Sequence, residues 1–252
     1  MLKKHIPNTI TCCNLISGCI ATYWAFQGEY QLALLFIIIG AVFDFFDGMS
    51  ARLLHVSSPI GKELDSLADD ITFGFAPSAI VFSFLNGQWI MDNGQCLAEA
   101  NNYPLSIINC QLIPYLAFVM AAFSALRLAK FNLDERQALG FIGLPTPANA
   151  LFWGSLIVGA GDWMKSAPFV SSNLSLVILA GVAVSCWLLI AEIPMFALKF
   201  KTWGWKGNEI KYIFLITCIP LLLLLGVSGL AAIIAWYIIL SIINNLIKIT
   251  TH

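Results

Sequence analysis

Residues 44–69 read DFFDGMSARLLHVSSPIGKELDSLAD and lie between two apolar runs, QLALLFIIIGAVF before them and ITFGFAPSAIVFSFL soon after. A helix continuing out of the first run carries Asp44 and Asp47 at i,i+3, and a helix leading into the second carries Asp65 and Asp69 at i,i+4. Acidic groups on membrane-length apolar runs belong where a helix leaves the hydrocarbon or lines a wet cavity. The stretch therefore predicts two membrane helices whose acidic ends converge.

The rest of the chain extends this pattern. Of its 252 residues, 59% are hydrophobic and 11% charged, against roughly a quarter charged in a soluble protein. Mean hydropathy is +0.84. Windows of about 19 residues place spans near 8–26, 31–54, 63–87, 106–130, 147–164, 172–198, 210–226 and 228–247. The expected fold class is all-α, a polytopic transmembrane bundle of about eight helices, or six to seven if neighbours such as the last two, parted only around Ser228 and Gly229, merge. Residues 1–252 form one membrane domain, with no internal repeat or low-complexity segment.

Lys and Arg fix the orientation. Under the eight-span map, twelve of the 13 fall on one side, namely Lys3, Lys4, Arg52, Lys62, Arg127, Lys130, Arg136, Lys199, Lys201, Lys206, Lys211 and Lys248, and only Lys165 on the other. Both termini and the acidic stretch are expected in the cytoplasm, in the inner or plasma membrane if the cell is bacterial. A net charge of −1, without a basic stripe, disfavours nucleic-acid binding. The seven cysteines form no CxxC pair; Cys12, Cys13, Cys19, Cys186 and Cys218 read as small helix residues, while Cys96 and Cys110 border the long outer loop, where a disulfide is permitted. His5, His55 and His252 read as solvated. Glu192, before Pro194, is an isolated acid without an assigned role.

Several carboxylates cannot stay ionised together at a membrane interface without a counter-charge. The candidate ligands Asp44, Asp47, Asp65 and Asp69 offer only hard oxygens, which favours Mg²⁺ or Mn²⁺. Gly48 and Ala51 remove bulk beside Asp44 and Asp47, and Arg52 supplies a guanidinium suited to phosphate. Such a combination suits phosphate chemistry.

The spacing Asp44-x2-Asp47-Gly48-x2-Ala51-Arg52-x8-Gly61-x3-Asp65-x3-Asp69 resembles the signature of the CDP-alcohol phosphotransferases, eight identities across 26 residues. The resemblance implies a membrane enzyme that displaces CMP from a CDP-linked lipid or alcohol with a second alcohol. It implies Asp44, Asp47 and Asp65 as metal ligands, with Asp69 as general base also close to a metal. Gly48, Ala51 and Arg52 would line the nucleotide or phosphate site, Gly61 would allow the turn into helix three, and a homodimer is implied. Asn8 and Thr11, at i,i+3 near the start of helix one, are candidates for cytosine or ribose contacts or for satisfying the helix end.

IPNTITCCNLISG at 6–18, GKELDSLADDITFGFAPSA at 61–79 and ALRLAKFNLDERQALGFIGLPTPANA at 125–150 are similar to the phosphatidylserine-synthase branch of that family. This part of the resemblance covers residues 6–150, the catalytic helices, and leaves 151–252 as additional membrane helices. It implies CDP-diacylglycerol and L-serine as substrates and CMP as product. Arg127, Lys130 and Asn132, on the same side as the aspartates, are the candidates for holding serine, although Arg127 and Lys130 also fit as interface anchors. Asp70 points about 100° from Asp69 around a helix and is expected at the wet interface. Phosphatidylglycerophosphate and phosphatidylinositol synthases would share the eight motif residues, but not ALRLAKFN and GLPTP so closely. A transporter would place its acids near the midplane on paired, interrupted helices, whereas these gather at one face.

Overall fold

A computed structural model describes residues 5–56, 58–99, 112–134, 141–166, 171–196, 204–205 and 208–250, with side chains described except at 88–99, 141, 162–166, 171–173 and 247–250. These segments are mostly helical: α1 His5–Phe26, α2 Tyr30–Leu53, α3 Pro59–Asp69, a π-helical segment Asp70–Phe75, α4 Ala76–Glu99, a 3₁₀ turn Ile113–Phe118, α5 Val119–Leu133, α6 Thr146–Ser166, α7 Ser171–Ile190, α8 Glu209–Leu225 and α9 Gly229–Thr250. Among the described residues, five helical stretches are long and apolar enough to cross a membrane: His5–Phe26, Tyr30–Leu53, Pro59–Gly87, Ile113–Leu133 and Glu209–Leu246.

The last stretch is a hairpin of two helices. Gly226 has φ +57 and opens a short 3₁₀ turn to Ser228. Trp236 Nε1 of α9 then donates to Thr217 Oγ1 of α8 at 2.9 Å, and a side chain on Gly229 would meet the Leu221 carbonyl at 2.7 Å. The chain thus breaks where Ser228 and Gly229 marked it.

Two boundaries differ from the hydropathy reading. The expected third span is three pieces, with α3 passing through the π-helical segment into α4, which runs to Glu99 across much of the expected outer loop. The sixth ends at Ile190, short of 198, because Pro194–Met195 pairs antiparallel with Phe141–Ile142. Gly143, at φ +76, packs where a side chain would strike the carbonyls of Leu188, Leu189 and Ala191. Its N–H donates to Ile193, and that of Leu144 to Leu188, both at 2.9 Å. Cys96 and Cys110 lie outside the residues whose side chains are described.

The core that carries the site joins α1, α2, α4 and α6 through Ala21, Ala25, Ile37, Phe73, Ile80 and Trp153. Small residues set its closest approaches, since membrane helices associate through tight packing rather than through water exclusion. Side chains on Gly18 of α1 or Gly40 of α2 would collide with Thr72 of the π-helical segment. Thr72 Oγ1 donates to the Asn14 carbonyl at 3.0 Å. This wedge locks the segment leaving Asp69 against α1 and α2.

Candidate active site

Local rules place the acidic residues. Helix α2 ends in a Schellman motif: His55 N–H donates to the Arg52 carbonyl at 3.2 Å and Val56 N–H to the Ala51 carbonyl at 3.0 Å. His55 takes the left-handed position, φ 51, usually given to glycine. Ser58 then caps α3, its Oγ accepting from Gly61 N–H at 3.0 Å, with Pro59 opening the helix. The chain reverses within a few residues, bringing Asp65 back to Asp44 and Asp47.

Asp44, Asp47 and Asp65 each offer a carboxylate oxygen, and these three atoms lie within 4.8 Å of one another. Ionised pairs at such a separation repel by roughly 3 kcal/mol at an effective dielectric near 20. Three such pairs rival the roughly 5–15 kcal/mol that holds a domain folded. Asp47 is only 6% exposed, and Asp65 Oδ1 is buried without a hydrogen-bond partner. A trio of hard oxygen donors with an orphaned buried oxygen fits a bound metal ion.

Asp69 stands apart from the trio while interacting electrostatically with all three of its members. Its Oδ1 accepts from Asn14 Nδ2 at 3.1 Å, and Asn14 is fully buried. Asn14 is the functional residue that sequence reasoning passed over. Its signal was its place three residues after Thr11, on the face of α1 that meets the acids. Thr11 is also better placed to orient a carboxylate than to meet a base, since its hydroxyl lies 2.6 Å from Asp47 Oδ2 and 3.1 Å from the Pro7 carbonyl.

A cavity of about 680 Å³ opens beside the trio. Asn8 and Thr11 of α1, Asp47, Gly48, Ala51 and Arg52 of α2, and Gly61 and Asp65 of α3 all line it. These are eight of the residues expected at the nucleotide and metal sites. His55, read as solvated, is exposed but lines the same cavity. Gly48 has open space where a side chain would project, so its backbone leaves the cavity floor clear. Arg52 Nε donates to the Gly48 carbonyl at 2.9 Å. Gly61 sits inside α3 rather than in the turn before it, and a side chain there would press on Asn8 Oδ1 at 3.0 Å and Ser58 Oγ at 2.9 Å. Close contact with α1 explains this glycine.

The three residues expected to hold serine are divided. Arg127, 6% exposed, interacts electrostatically with Asp69 and lies 5.6 Å from the centre of the Phe131 ring. With Lys130 it lines a second cavity of about 350 Å³. Asn132 is not among the residues lining that cavity: its Nδ2 donates to Ser66 Oγ at 2.7 Å and its carbonyl accepts from Lys62 Nζ at 3.1 Å, tying α5 to α3. Asp70 is partly exposed and lies outside the trio, with its Oδ1 buried facing Gly74 at the contact with Ser124 of α5.

Membrane-length helices that bring an acidic trio to the edge of this cavity suit a membrane enzyme of phosphate chemistry. The chain belongs to the CDP-alcohol phosphatidyltransferase family, whose model matches residues 4–158. Over 144 residues it is 36% identical to the CDP-diacylglycerol–serine O-phosphatidyltransferase of Bacillus subtilis strain 168, covering 57% of this chain and 70% of the relative. The protein so named in Helicobacter pylori strain 26695 is 26% identical over 211 residues, 83% of this chain and 79% of the relative. The one in Saccharomyces cerevisiae is 43% identical over 90 residues, 33% of each chain.

Proposed function

We propose that the protein transfers the phosphatidyl group of CDP-diacylglycerol to the hydroxyl of L-serine, giving phosphatidylserine and CMP. The observation that carries this is the convergence of Asp44, Asp47 and Asp65 beside a cavity lined by the motif residues of α1, α2 and α3. The cavity takes the cytidine and diphosphate, with Arg52 facing phosphate and Asn8 at the entrance of α1. Asp44, Asp47 and Asp65, with Asp69 nearby, would hold Mg²⁺ or Mn²⁺, which when bound would supply positive charge against the diphosphate and the departing CMP.

Asp69 accepts the proton of the serine hydroxyl. The serine oxygen bonds to the lipid-side phosphorus as the bond from that phosphorus to the CMP oxygen breaks, and CMP leaves as the anion. Asn14 holds the Asp69 carboxylate through its 3.1 Å hydrogen bond. Arg127 and Lys130 receive the serine carboxylate, with Asn132 holding α5 against α3. The distribution of Lys and Arg supports a site and termini facing the cytoplasm, and we include a homodimer in this proposal. Purified protein given CDP-diacylglycerol with serine, glycerol 3-phosphate or inositol in turn tests the acceptor. Serine is expected to release CMP far faster than the others, and preference for another alcohol would refute the assignment.

A further inference from the structure

The second cavity carries more than its two cations. Its walls come from the end of α5, with Arg127, Lys130 and Asp134, and from the segment just past α7, with Glu192. Arg127 is 94% buried, the complement of its 6% exposure, yet its Nε and Nη2 have no hydrogen-bond partner. Burying guanidinium donors unpaired is costly, and a ligand carboxylate is the group that satisfies a planar guanidinium best. Two acids share the cavity with it, so its charged lining is complementary to a zwitterion.

The acidic wall is held in place from three directions. Ile142 pairs with Pro194 and Phe141 with Met195. Asn245 Nδ2 of α9 donates to the Pro194 carbonyl at 2.6 Å. The Tyr237 hydroxyl, also of α9, donates to the Phe196 carbonyl at 2.9 Å, and Tyr237 interacts electrostatically with Arg127. Glu192 lies past residue 158, where the match to the family model ends. Helix α9 therefore holds the backbone just after Glu192, which lines a cavity whose cations come from α5.

We infer that this cavity is the acceptor subsite and that Glu192, with Asp134, recognises the ammonium group of the amino-acid alcohol while Arg127 and Lys130 take its carboxylate. The inference rests on the proposed transfer to serine and adds the residues that separate an amino acid from a plain hydroxy acid. Arg127 also interacts electrostatically with Asp69, the proposed base.

The test is CMP release by purified full-length protein and by its Glu192→Gln, Asp134→Asn and doubly substituted forms. L-serine is compared with 3-hydroxypropionate, which keeps the hydroxyl and carboxylate but lacks the ammonium. Glu192→Gln is expected to raise the KM for serine about threefold to fivefold, as for an exposed charge pair, and the doubly substituted form more. The KM for CDP-diacylglycerol and turnover at saturating serine should stay within about twofold, and use of 3-hydroxypropionate should be unchanged or improved. A serine KM within about twofold of the parent in both single variants overturns the inference while leaving serine transfer standing. Equal losses with serine and 3-hydroxypropionate also overturn it, since they report a structural role. A parent protein that releases CMP with another alcohol but not with serine overturns both.

Discussion

Thr11 Oγ1 donates a 2.6 Å hydrogen bond to Asp47 Oδ2, joining α1 to α2 at the edge of the acidic trio. A hydrogen bond to a charged group contributes about 1.5–3 kcal/mol, and here it fixes which way a candidate metal ligand points. Thr11→Val keeps the shape and removes the donor. It is expected to raise the metal concentration for half-maximal CMP release by about tenfold to a hundredfold, and Thr11→Ser should restore most of the loss. A Mn²⁺ titration of both variants checks this.

Separating Asp69 from the trio gives the aspartates different phenotypes. Asp69→Asn removes the proton acceptor but keeps the side-chain volume, so CMP release should vanish while CDP-diacylglycerol binding persists. Asp44→Ala or Asp47→Ala should weaken metal and nucleotide binding together. Binding of labelled CDP-diacylglycerol alongside the activity assay distinguishes these outcomes, and turnover by Asp69→Asn would remove its role as base.

Gly48 and Gly61 line the same cavity for different reasons, and alanine separates them. At Gly61 the added methyl meets Asn8 Oδ1 and Ser58 Oγ, so Gly61→Ala should destabilise by about 1–3 kcal/mol. At Gly48 it enters open space, so Gly48→Ala should leave the thermal transition in detergent unchanged and raise the KM for CDP-diacylglycerol. Equal losses of stability in both would contradict this difference.

Much of this was legible in the residues, because the signals are local. The apolar runs gave most of the helices, and the spacing from Asp44 to Asp69 gave six of the residues that line the cavity, Asp47, Gly48, Ala51, Arg52, Gly61 and Asp65. What escaped depends on contacts between distant segments. Asn14 reads as one polar residue in an apolar helix until Asp69 is folded against it. Thr72 of the π-helical segment packs against Gly18 and Gly40, a contact that no run of hydropathy encodes. Asn132 lies two residues from Lys130 in sequence, yet its amide turns to Ser66. Glu192 shares a cavity with Arg127 in a fold that pairs 141–142 with 194–195.

Arg127 is expected to act on the acceptor rather than on the nucleotide. Arg127→Ala should raise the KM for serine by about tenfold to a hundredfold, as expected for losing a charged hydrogen-bonding partner, with less effect on the KM for CDP-diacylglycerol. Initial rates over a grid of both substrates check this. An unchanged serine dependence would make Arg127 an interface anchor.

The most direct measurement of the central claim is serine-dependent CMP release by the purified protein in detergent, stripped with EDTA and then resupplied with Mg²⁺ or Mn²⁺. CMP and phosphatidylserine should form in equal amounts, only when serine and a divalent ion are both present. Undiminished CMP release from the stripped protein, or release indifferent to serine, would contradict it.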